Sequence, residues 1–147
     1  MENAKKNLKI ASWMVLVLVA FTAVRKIVDA VINGFEVKEV PEGMTEDMVR
    51  ISLIIAFALG FVVLLPQLYV GIKGLKVANA PCLAKGHIVW ATILLVIALL
   101  GVISPISSLI KADHVGSNLA ELSNALLNVA VYSLFLSAAL EVKKAIR

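Results

Sequence analysis

HIVWATILLVIALLGVISPISSLI, residues 87–110, contains no Asp, Glu, Lys or Arg. As a helix it would rise about 36 Å at ~1.5 Å per residue. That exceeds the ~30 Å hydrocarbon core of a bilayer. A helix satisfies the backbone of such a segment in lipid. Three further segments read the same way: 10–33, 48–72 and 119–140. The chain is therefore predicted to be all-α, an integral membrane four-helix bundle with four transmembrane helices and short loops, forming a single membrane domain over 1–147.

The composition agrees. Of 147 residues, 61% are hydrophobic, and the mean hydropathy is +0.95. Soluble domains average roughly 45–50% apolar residues. The net charge of +4 does not imply nucleic acid, because the basic residues flank the apolar segments and anchor them. Cys82 is the only cysteine, which excludes an intrachain disulfide, a CxxC redox pair and a multi-cysteine zinc site. It also separates the chain from small thiol oxidases, which need cysteine pairs. His87 and His114 stand at opposite ends of one segment and cannot share a metal. The acidic loop 36–47 lacks calcium-loop spacing. No cofactor or metal is expected.

The flanking charges set the orientation. Lys5, Lys6 and Lys9 precede the first segment, Lys73, Lys76 and Lys85 separate the second from the third, and Lys143, Lys144 and Arg147 follow the fourth. The other side carries Lys38, Arg50 and Lys111 beside Glu36, Glu39, Glu42, Glu46 and Asp47. The positive-inside rule places both termini in the cytoplasm, in a multi-pass protein of the cytoplasmic membrane. The first segment is expected to stay as a span: Arg25 and Lys26 stand badly just before the loosely cleavage-like Val28-Asp29-Ala30.

Local signals sharpen the element ends. Pro41 and Gly43 mark a turn, Thr45 is a candidate N-cap, and Glu46 and Asp47 suit the positive end of the helix that follows. Met44 and Val49 suit a hydrophobic staple across that cap. Pro66 and Pro105 are expected to bend the second and third segments.

Polar residues interrupt two segments. In the first, Thr22, Arg25, Asp29 and Asn33 recur at spacings that share one helix face, and Arg25 can pair with Asp29. In the fourth, Asn124 and Asn128 lie one turn apart. Counting from Trp13 as an inner anchor puts Arg25 roughly 18 Å up a straight helix. Counting back from Leu140 puts Asn128 at roughly 18 Å and Asn124 at roughly 24 Å. Ser104 falls in the same outer half. Arg25, Asp29, Asn124, Asn128 and Ser104 are thus the candidate polar cluster. Asn118 and Glu121 form a capping-box pattern, which predicts a first turn at that point and Glu121 at the outer interface.

Two uses fit such a cluster. As structural glue, its amides and charges bond between helices or to a partner. As a binding site, they line an outward-facing cavity between the first, third and fourth helices. No G-x-S-x-G, H-E-x-x-H or carboxylate pair with a partner base is present. The expected function is that of a non-enzymatic accessory or scaffold subunit acting through helix–helix association. The alternative is a small transporter or ligand-binding membrane protein. Expected partners are the lipid bilayer and a membrane-protein partner or a second copy of the chain.

Overall fold

Lys5, Lys6 and Lys9 lie inside the first helix rather than before it. In the computed structural model, which describes residues 2–34, 40–81, 85–110 and 115–146, α1 spans Glu2–Asn33. It starts eight residues before the apolar run because Leu8 is fully buried and Ala4 packs against the same core. The chain continues through α2 (Glu46–Val62), α3 (Leu64–Asn79), α4 (Gly86–Ile110) and α5 (Val115–Ile146). α5 likewise outlasts its apolar run, ending six residues beyond Leu140 with Val142 buried. All regular structure among the described residues is helical. Cys82, His114, Lys111, Glu36 and Glu39 lie outside the described residues.

α2 starts as its sequence indicates. Thr45 has extended backbone (φ −93°, ψ 157°), and its hydroxyl accepts a 3.4 Å hydrogen bond from the Met48 amide. Gly43, at φ +85°, takes the left-handed turn before it, a conformation that strains any residue with a Cβ. The second predicted segment is two helices with a turn at Val63. Pro66 is the cause: it has no amide proton for the Val62 carbonyl, and its ring crowds that carbonyl. Pro105 has a milder effect, lying buried within an unbroken α4.

Three stretches are long and apolar enough to cross a membrane: Glu46–Asn79, Gly86–Ser108 and Leu119–Ile146. α1 is the exception among the predicted spans. Its uncharged run covers only residues 10–24, about 22 Å of helix at ~1.5 Å per residue, before Arg25 and Lys26. Much of the outward surface of the helices is apolar, although Arg25 and Asp29 of α1 are more than half exposed. Val31, Leu100 and Ile103 are 77%, 61% and 62% exposed. An apolar surface this continuous is covered by lipid or protein rather than water.

The helices pack in a ring: α1 on α3, α3 on α4, α4 on α5, and α5 back on α1. The buried core lies toward the end that carries both termini. It is built from Leu8, Ala11, Val15 and Leu18 of α1, Val70 and Val77 of α3, Ala91 and Leu94 of α4, and Phe135, Ala138 and Val142 of α5. Small residues let the backbones close in. A Cβ on Gly71 would lie 2.6 Å from Leu16 Cδ2, and one on Gly74 would strike Ser12 Oγ and the Phe135 ring. Ser12 is fully buried and donates its hydroxyl to the Leu8 carbonyl at 2.7 Å. Such close approach is how apolar helices associate where lipid competes equally for apolar contact. α2 has no buried residue and packs mainly on α3, outside that ring.

Candidate functional site

The spacing of α5 builds one wall of the site. Glu121, Asn124, Asn128 and Tyr132 recur every three or four residues and therefore share a face. All four line a cavity of about 400 Å³ between α1, α3, α4 and α5. Arg25 of α1 and Gln67 of α3 complete its polar lining, and Leu94, Ile97 and Ala98 of α4 supply an apolar wall. Gln67 reaches it because the break at Val63 restarts the helix just above, and Val63 itself lines the cavity.

Exposure grades along this wall. Glu121 is exposed, Asn124 and Asn128 are half-buried, and Tyr132 is 2% exposed. From Tyr132 to Glu121 the face climbs about 16 Å away from the termini, at ~1.5 Å per residue. Tyr132 thus forms a floor and Glu121 a mouth. The Tyr132 hydroxyl has no hydrogen-bond partner among the described residues. A buried hydroxyl left in that state costs about 1–3 kcal/mol.

The amides do not bridge helices either. Asn128 Nδ2 donates to the Asn124 carbonyl at 2.9 Å, on its own helix. Thr22 donates to the Leu18 carbonyl at 2.8 Å, also on its own helix. Arg25 and Asp29 pair across one turn of α1 at 3.8 Å, with both side chains more than half exposed, which is a weak and screened interaction. Polar glue would show bonds between helices. Among the described residues, each side-chain hydrogen bond stays within its own helix or cap.

A smaller space of about 230 Å³ adjoins the first. Phe21, Thr22, Arg25, Lys26, Asp29 and Asn124 line it, so Arg25 and Asn124 face both. Lys26 is half-buried and crosses toward α2, where a Cβ on Gly60 would sit 2.7 Å from its Nζ.

The structure therefore brings Arg25, Asn124 and Asn128 to one cavity and Asp29 to the space beside it. Ser104 does not join them. It is exposed, and its carbonyl accepts the hydroxyls of Ser107 at 2.8 Å and Ser108 at 3.1 Å. The expected cap also shifts. α5 begins at Val115, three residues before Asn118, so Glu121 belongs to the second turn and stands at the cavity mouth. The capping box needs a first turn at Asn118, whose backbone is already helical; its side chain lies outside those described. Gln67 and Tyr132 complete the lining, and neither belongs to the polar cluster expected from the sequence. Tyr132 has a signal there, since it extends the row from Asn124 and Asn128 by one more turn.

Below the floor the molecule is closed. His87 is 3% exposed and meets Phe135 edge-to-face, with ring centroids 6.3 Å apart and planes at 87°. Chemically, the cavity offers neutral donors and acceptors at its floor and charges of both signs at its mouth. Comparison with protein-family models, curated proteins and solved structures gives no match to this chain.

Proposed function

We propose that this chain is a four-helix membrane bundle, with both termini in the cytoplasm, whose central cavity receives a small polar ligand from the outer side. The observation that carries the reading is the Tyr132 hydroxyl, buried and without a partner at the floor of a polar-lined cavity. A buried hydroxyl without a partner carries a cost in the fold, and a guest that bonds it offsets that cost. Charge supports the orientation: Lys5, Lys6, Lys9, Lys73, Lys76, Lys85, Lys143 and Lys144 gather at the closed end. α1 belongs in the membrane on this reading despite Arg25, because Arg25 lines the cavity. The reading involves no catalytic step, only binding or passage.

A second reading, an accessory or scaffold subunit, is favoured by α2. None of its residues is buried, and Ile51, Ile54 and Ile55 are about half exposed. A partner helix or a second copy of the chain would cover that face.

Cysteine accessibility separates the two without a known ligand. In a Cys82→Ser background, Asn124→Cys and Asn128→Cys should react with a membrane-impermeant thiol reagent added outside intact cells. Leu134→Cys, on the outward apolar surface, should not. Protection of both positions, or labelling only after the inner face is opened, would overturn the cavity reading.

A further inference from the structure

The central cavity is one of three linked spaces. Between α1 and α5 runs a groove of about 570 Å³ lined by Trp13, Met14, Val17 and Phe21 of α1 and Leu127 and Val131 of α5, with almost no polar surface. Phe21 also borders the smaller polar space, and Arg25 and Asn124 border both that space and the central cavity. The three spaces thus adjoin through shared lining residues, from a wholly apolar groove, past Arg25 and Lys26, to a polar chamber with an unpartnered hydroxyl. Trp13 and Arg25 are about 18 Å apart along α1 at ~1.5 Å per residue, the reach of a long acyl chain.

We infer that the ligand of the central cavity is an amphiphile, a glycerophospholipid of the outer leaflet, with its polar head in the chamber and one acyl chain in the α1–α5 groove. The inference rests on the central cavity being a binding site. Charge complementarity selects the head. Arg25 and Lys26 can meet the phosphate, while Asp29 and Glu121 balance them, so the lining of the two polar spaces carries no net charge and suits a zwitterionic head. Asn124, Asn128, Gln67 and Tyr132 then meet the glycerol and headgroup oxygens. The head sits about 12 Å below the outer surface if Trp13 marks the inner boundary of a ~30 Å core. The polar chamber is what makes that depth tolerable. The crevice nearer the termini, around Asn7 and Glu141, has no cationic residue in its lining.

Tryptophan quenching tests it. Trp13 and Trp90 are the two tryptophans, so Trp90→Phe leaves a single reporter inside the groove. In detergent, one equivalent of a phospholipid with a brominated acyl chain should quench Trp13. A brominated fatty alcohol at the same level should not. Arg25→Gln and the groove-filling Leu127→Phe should each weaken the quenching at least tenfold in midpoint concentration, about 1.4 kcal/mol. Glycerol 3-phosphate should compete. Equal quenching by the alcohol, or quenching indifferent to both substitutions, would overturn the inference. Thermal stabilisation by glycerol 3-phosphate with no quenching by the lipid would also overturn it, while leaving the cavity reading intact. If neither compound acts and Asn128→Cys is also protected, both readings fall.

Discussion

The two halves of this molecule use the same four rods and reach opposite outcomes. Toward the termini, Gly71 and Gly74 admit Leu16, Ser12 and Phe135 into direct contact, and the helices lock. Toward the other end, α2 buries nothing, and Arg25, Asn124 and Asn128 face an open chamber without bonding another helix. Mean apolarity does not separate the halves, since α2 is among the most apolar stretches in the chain. Fit does. In lipid an Ile on a partner helix gains little over an Ile in acyl chains, so small residues and interlocking rings decide where a bundle closes.

The comparison breaks most readily at Phe135. It is fully buried, so Phe135→Ala should destabilise the protein by about 3 kcal/mol, the low end of the soluble range because lipid removes part of the transfer term. Thermal unfolding in detergent measures it, and a loss below ~1 kcal/mol would mean that the locked half is not the stability centre. Next come paired glycine substitutions. Gly74→Val should cost about 1–3 kcal/mol through overpacking against Ser12 and Phe135. Gly101→Ala, on the chamber wall where a Cβ meets nothing within 4 Å, should hold or gain up to ~1 kcal/mol through helix propensity. Equal losses at both glycines would erase the difference between the halves. The smallest effect is at Tyr132. Tyr132→Phe should leave unfolding unchanged or raise it by about 1 kcal/mol, because a group without a partner is removed. A clear fall would show that the hydroxyl serves the fold rather than a guest.

Much of the frame was legible in the residues. The apolar runs marked the rods, Thr45 marked the start of α2, and Pro66 foretold the interruption that the structure places at Val63. The shared face of Thr22, Arg25 and Asp29 was legible too, because helical spacing is local geometry. Other features were hidden for a physical reason. Ser104 counts to the same outer half as Asn124 but lies exposed and off the chamber wall, and height alone was countable. Glu121 read as a cap because capping signals do not reveal that a helix began a turn earlier. α1 and α5 outran their hydrophobic segments because Leu8 and Val142 are buried in the shared core, where α1 packs on α5.

The sequence by itself determined that the chain is helical, where its charges cluster, and which polar residues lie on a common face of their own helix. Those properties depend on rise, period and side-chain chemistry within a few turns. Only the tertiary structure decided which faces meet. Close packing at Gly71, Gly74 and Phe135 constrains the rotation of α1, α3 and α5 against one another, through contacts between residues distant in sequence. That rotation turned Arg25, Gln67, Asn128 and Tyr132 toward one chamber.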